Sequence, residues 1–217
     1  MNLFDWSNYI SEVVGTVLTI ISWKYLTKPF RFLAMHIFLG TICDWTNYFI
    51  LIRLLHQYNI WLSNLYIFID VTLVLLAARA MIDHVFVKKS ILLVIIAFNI
   101  WSLAHYDIHS LISNDRDYIV GSILIGVSYF YVLFEKYHSK ETSLTKNMIF
   151  WLSFVQIAYY LVQIPSLIVK NNTDTSLSFM IIIMNINGVF NTFLYPVTGL
   201  IFYYFRRQQI KLLSTTA

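Results

Sequence analysis

Charge is scarce in this sequence, and the scarcity decides its class. Asp, Glu, Lys and Arg make up 12% of 217 residues, against about a quarter in soluble domains, which is too little to dress a soluble fold. Its place is taken by apolar side chains: 59% of the residues are hydrophobic and 18% aromatic, a membrane composition. A bilayer core demands helices of about 20 apolar residues, so the chain has room for roughly six to eight spans and for no soluble domain. The first 23 residues hold Asp5 and Glu12 but no Lys or Arg. A cleaved signal peptide opens on positive charge, so the first span is expected to stay in the mature protein. Cysteine occurs once, as Cys43, which excludes an intramolecular disulfide and leaves the redox compartment unread. The formal net charge of +4 does not argue for nucleic acid, because the basic residues flank the apolar runs, where membrane insertion puts them. The expected partner is the lipid bilayer, with no nucleic acid.

Apolar segments separated by charged or turn-rich breaks fall at 3–23, 32–54, 61–82, 91–106, 118–134, 148–169 and 177–205. The pattern predicts an all-α, polytopic bundle of seven transmembrane helices in a single domain, residues 1–217. Four segments hold eleven of the fifteen basic residues: Lys24, Lys28 and Arg31; Lys88 and Lys89; Lys136, Lys140 and Lys146; Arg206, Arg207 and Lys211. They alternate with segments holding only Arg53, Arg116 and Lys170, while Arg79 lies inside the third helix. Lys and Arg in short loops mark the cytoplasmic side, so the N-terminus is expected outside and the C-terminus in the cytoplasm. Arg79 is expected to pair with Asp83 one turn on and to snorkel toward the cytoplasmic face.

Long loops are absent too. Every break is about a dozen residues or fewer, which excludes a lid or an ectodomain, and no internal repeat is visible between the first three and last three helices. Asn171-Asn172-Thr173 is a glycosylation acceptor pattern in a predicted external loop. His105, Asp107 and His109 cluster at the external end of the fourth helix, but two histidines and an acid without a third ligand read as a surface cluster rather than a metal site. The six tryptophans and fifteen tyrosines read as an interfacial anchoring belt.

Polar side chains are costly in hydrocarbon unless they face the bundle or water, so those inside the spans are the best candidates for function. His36, Gly40, Cys43, Asp44 and Asn47 share one face of the second helix. At 1.5 Å per residue, Asp44 lies roughly 20 Å from the cytoplasmic end of its helix and Asp70 roughly 15 Å from the external end of the third, so the two acids are expected at a similar level. The seventh helix adds Asn187, Asn191, Tyr195 and Thr198, and the sixth Gln156, Tyr160 and Gln163, followed by Pro165. Together they are expected to line a polar, aromatic cavity opening outward, with Asp44, Asp70, Asn47, His36, Gln156, Gln163, Asn187, Asn191 and Tyr195 as candidate ligand-binding residues. Interhelical glue is the competing explanation for each amide, at about 1 kcal/mol or less per bond. It explains the two acids less well.

Several seven-helix chemistries are excluded by missing residues. No lysine lies between Leu177 and Phe205, so retinal has no Schiff-base partner, and no histidine lies there for the zinc of ceramidase-type hydrolases. No cofactor and no catalytic residue are assigned. Lys28-Pro29 followed by a helix bearing Asp44 resembles the early elements of the lysoplasmalogenase-type membrane proteins, with Cys43 where that family has glycine before the aspartate. Trp61-Leu-Ser-Asn64-Leu-Tyr66 continuing past Asp70, then Phe150-Trp151 leading through Tyr159-Tyr160 to Ile164-Pro165, resembles a group of uncharacterised seven-helix membrane proteins of Bacteroidota. That resemblance implies the fold and a bacterial cytoplasmic-membrane location, and no reaction.

Three functions fit these residues. One is a non-enzymatic, sensor-like protein that binds a small molecule or lipid within the bundle and signals through a partner protein. The second is a small-solute transporter with Asp44 or Asp70 as its ion-sensitive group. The third is a lipid hydrolase using the two aspartates as acid and base.

The charge pattern carries its own test. Reporters fused at the C-terminus or beside Lys140 are expected to read cytoplasmic, and tags near Asp115 or Asp174 external. An external C-terminal reporter would disprove the orientation and the odd number of spans.

Overall fold

A computed structural model describes residues 3–48, 60–106, 115–138, 144–170 and 176–215. These residues are all-α: α1 (Leu3–Ser22), α2 (Lys28–Trp45), α3 (Ile60–Met81), α4 (Val85–Ala104), α5 (Asp115–His138), α6 (Leu144–Lys170) and α7 (Leu177–Thr215), with one short 3₁₀ turn at Trp23–Tyr25. Five of the helices, α3 to α7, are long and apolar enough to cross a membrane, as in an integral membrane protein. The two that fall short of that measure, α1 and α2, are those that carry Glu12, His36 and Asp44.

Most helices outrun the spans that hydropathy predicts. Helix α2 begins at Lys28 with Pro29 in its first turn, a position where the missing N–H costs no hydrogen bond. The rest of its predicted span, 49–54, lies outside the described residues. Helix α4 runs from Val85 to Ala104 instead of 91–106, so Lys88 and Lys89 belong to it, and α7 continues through Arg206 and Arg207 to Thr215 instead of ending at 205. The reason is common to all: an apolar boundary marks the hydrocarbon edge, whereas backbone hydrogen bonding continues through polar residues in the interface. Pro165 and Pro196 sit inside continuous helices.

Six helices close into a ring, with α1 on α2, α2 on α3, α3 on α5, α5 on α6, α6 on α7 and α7 back on α1. Helix α4 stands outside, packed mainly on α3. The half of the ring away from the N-terminus is filled with apolar side chains. Phe30, Leu33, Leu75, Val132, Phe202 and Phe205 are all buried there, and Phe30 meets Phe205 edge-on at 5.8 Å.

At that end, Glu135 of α5 accepts from the backbone N–H groups of Asp83 and His84 at 2.8 and 2.9 Å, capping the start of α4. Asp83 pairs with Lys136 of α5, and Arg79 donates through Nε to the Lys88 carbonyl at 3.1 Å. The expected Arg79–Asp83 pair is therefore corrected. Helix α3 stops at Met81, and the short turn of residues 82–84 carries Asp83 away from the face that Arg79 occupies.

The ring closes where α1 crosses α7 through two glycines. A Cβ added to Gly199 would lie 2.8 Å from the Gly15 carbonyl oxygen, and one added to Gly15 would lie 2.6 Å from the Tyr195 carbonyl carbon. Backbone meets backbone, the close approach that small residues permit between membrane helices. Gly199→Val is expected to cost at least 1–3 kcal/mol, the range for overpacking. Gly126→Ala, whose Cβ would meet only Leu161 at 3.8 Å, should be neutral or slightly stabilising, since alanine is the better helix former. Thermal unfolding of the two purified variants in one detergent checks the contrast.

Candidate functional site

The other half of the ring is hollow. The N-terminal parts of α1, α3, α5 and α7 and the C-terminal parts of α2 and α6 surround a cavity of about 350 Å³. Small-molecule sites begin at about this size. Its lining acids come from four helices: Glu12 (α1), Asp44 (α2), Asp70 (α3) and Asp115 (α5). Four tyrosines, Tyr66, Tyr118, Tyr159 and Tyr195, share the wall with Asn8, Ser63, Gln163 and Asn191.

Asp70 is the most heavily bonded group of the site. It is 2% exposed and contacts His36 Nδ1 of α2 through Oδ1, which assigns the Nδ1 proton to the histidine. Tyr160 of α6 donates to Oδ2 at 2.8 Å, and Tyr66, one turn back on α3, reaches Oδ1 at 3.4 Å. Three helices thus meet at one carboxylate. The His36 ring stacks on Tyr195 of α7, with centroids 6.3 Å apart. Gly40 leaves the room this needs, since a Cβ there would lie 2.6 Å from the Tyr66 hydroxyl.

Asp44 has a different partner. Its carboxyl faces that of Glu12 across the α1–α2 interface, and Trp45 also lies beside Glu12. Glu12 Oε2 is left buried without a partner. Around the wall, Gln163 donates to Asn191 Oδ1 at 2.9 Å and the Tyr118 and Tyr159 hydroxyls meet at 3.3 Å. Thr192 bonds Asn8, and Thr16 bonds Thr41 at 2.9 Å below the cavity.

Of the candidates named from sequence, Asp44, Asp70, Gln163, Asn191 and Tyr195 line the cavity. His36 lies behind it as the partner of Asp70, and Asn47 reaches Ser63 of the wall at 3.5 Å. Gln156 does not reach the cavity. It is fully buried in the bundle with both amide atoms unpartnered among the described residues. Asn187, in the N-terminal half of α7, is likewise absent from the lining, with its Oδ1 buried and unpartnered among the described residues. The His105 ring bonds the Trp101 carbonyl of its own helix at 2.8 Å, and Asp107 and His109 lie outside the described residues, as does Asn171-Asn172-Thr173.

Sequence reasoning overlooked Glu12 and Asn8, although Asn8, Glu12, Gly15 and Thr19 follow the 4-3-4 spacing of one helix face. It also left in the interfacial belt three tyrosines that line the cavity, Tyr66, Tyr118 and Tyr159. Compared with models of known families, with curated proteins and with solved structures, the chain matches none.

Removing the Asp70 carboxylate leaves His36 and Tyr160 as buried donors without acceptors, which costs about 1–3 kcal/mol for each orphaned group. Asp70→Ala is therefore expected to destabilise well beyond Tyr160→Phe, which forfeits one membrane hydrogen bond of about 0.6–1 kcal/mol. Denaturant unfolding of both variants gives the order, and equal losses would remove Asp70 from the centre of the network.

Proposed function

We propose that this protein is a non-enzymatic, membrane-embedded receptor for a small molecule or lipid headgroup, of the kind found in sensors, with the cavity as its binding site. The single observation that carries the reading is the cavity itself. It is a pocket of about 350 Å³ walled by six helices, with carboxyl, amide and phenol groups converging on it. Convergent polar groups in a preformed pocket are the mark of ligand recognition rather than of packing.

The charge pattern of the loops supports seven spans with the N-terminus outside and the C-terminus in the cytoplasm. In that orientation the cavity faces the exterior, and the apolar half containing Phe30 and Phe205 seals the cytoplasmic side. A bacterial cytoplasmic membrane is the location that fits, together with the likeness to the Bacteroidota proteins. Helix α7 runs from Asn191 in the cavity wall to Arg206 and Arg207, so a ligand-induced tilt of one rigid helix would reach the cytoplasmic face, where a signalling partner protein would read it.

The test is ligand-dependent stabilisation of the full chain in nanodiscs. A panel of small polar metabolites is expected to contain at least one that raises the melting temperature by about 2 °C or more, as a ligand well above its Kd does by mass action. Asn191→Trp, which fills the cavity, should abolish the rise. A rise that survives the filling variant would place binding elsewhere, and no rise with any compound would count against the reading.

A further inference from the structure

We propose that the outer seam between α6 and α7 is a binding site for one anionic phospholipid, separate from the cavity and independent of what the cavity binds. A hollow of about 450 Å³ lies in this seam, lined by Asn147 and Trp151 of α6 and by Leu200, Ile201 and Tyr204 of α7. A second space of about 120 Å³, between Phe154 and Ala158 of α6 and Phe190 and Phe193 of α7, continues the seam and shares Val197 with the first. Trp151, Phe154, Phe193, Leu200 and Tyr204 are all exposed, so the hollow is an open groove rather than part of the core. From Asn147 to Tyr159 it follows α6 for roughly 18 Å, against about 15 Å for one leaflet of hydrocarbon. An acyl chain laid along it is matched in length and in chemistry.

The end of the groove beside Asn147 is positively charged. The face of α7 that lines the groove with Leu200 and Tyr204 continues to Arg207 and Lys211 at 4-3-4 spacing, and both basic side chains are exposed. Neither has an ion-pair partner among the described residues, and α6 and α7 contain no Asp or Glu. Helix α6 begins at Leu144, so the free N–H groups of its first turn add partial positive charge at the same end. Basic residues at the end of a groove between membrane helices are a pattern that holds anionic lipid headgroups.

A phospholipid joins the two halves of this surface. Its phosphate takes a bidentate pair of hydrogen bonds from Arg207 and the point charge of Lys211. Trp151 and Tyr204 sit where the headgroup gives way to the chain, a level that amphipathic aromatic rings favour. A second copy of the chain fits less well. Two-fold pairing centred on the seam would set Arg207 and Lys211 of both copies side by side, with no acid on either helix to separate them.

The experiment titrates the full-length protein in detergent with phosphatidylglycerol or phosphatidylcholine of identical acyl chains, and counts bound lipid by native mass spectrometry. The first phosphatidylglycerol is expected to bind at least about tenfold more tightly than phosphatidylcholine, as two basic residues at the headgroup allow. Arg207→Gln with Lys211→Gln should bring the two lipids to equal affinity. Lys88→Gln with Lys89→Gln removes the same charge from α4 and should leave the preference intact. Leu200→Trp, which fills the groove from an exposed position, should abolish the tight binding. Equal affinities in the unsubstituted protein, or an equal loss of preference in the α4 variant, would reduce the effect to net charge and overturn the site. Tight binding that survives Leu200→Trp would place the lipid elsewhere. Competition by glycerol phosphate as strong as by the whole lipid would assign the charge to a free anion and overturn the role of the groove. A dimer that Leu200→Trp dissociates would give the seam to a second copy and overturn the lipid.

Discussion

Asp70 is the interaction on which the rest of the structure depends. A carboxylate this deep in an apolar bundle is tolerable only when its oxygens are satisfied from within. The groups that satisfy it arrive on different helices, His36 from α2 and Tyr160 from α6. The bond to Asp70 therefore fixes the rotation and height of three helices at once. Tyr66 and Tyr195 are then placed over Gly40, and the hollow half of the ring takes its shape around them. An apolar residue at position 70 would remove the one group that ties α2, α3 and α6 together, leaving dispersion at that point, which lipid tails supply equally well.

The division of the bundle into an apolar end and a polar end follows from the same economy. Helices α1 and α2 give part of their hydrophobicity to Asn8, Glu12, His36 and Asp44, and are less apolar than a free-standing span for that reason. They can afford it because each is flanked in the ring, α1 by α7 and α2 by α3. Helix α4, outside the ring, keeps a nearly unbroken apolar exterior, with Leu93, Ile100 and Leu103 exposed on it. Within its span, side chains reach neighbouring helices through Asn99, which accepts from Thr72, and Ser102, which donates to Asp117.

Much of this is legible in the amino-acid order because hydrocarbon imposes one simple rule on every span. Helix count and class follow from hydropathy, and the face bearing His36, Gly40, Cys43 and Asp44 follows from spacing alone. Asp44 and Asp70 do meet one cavity, yet their partners were beyond reach of the sequence, since spacing tells which side chains share a face and not which helix that face meets. Glu12 was passed over because a single acid near a chain start carries no positional signal until α1 is known to pack against α2. Gln156 shows the opposite failure. Its spacing with Tyr160 and Gln163 is correct for one face, but that face runs below the cavity, and helical periodicity contains no depth. Helix ends were the least legible, because hydropathy reports where lipid ends and not where the helix does.

The glycine crossing of α1 and α7 joins the first helix to the last, and this sets an order on assembly. Chains are made from the N-terminus, so α1 and α2 exist long before Gly199 does to receive Gly15. Glu12 and Asp44 are then on adjacent helices and face each other from the start. The wall contributed by Asn191 and Tyr195 comes only with α7. Until α7 arrives, α1 lacks the helix it packs against most closely. A chain halted before α7 would hold its acids and its histidine but no chamber, so the chamber would appear in one step, with α7.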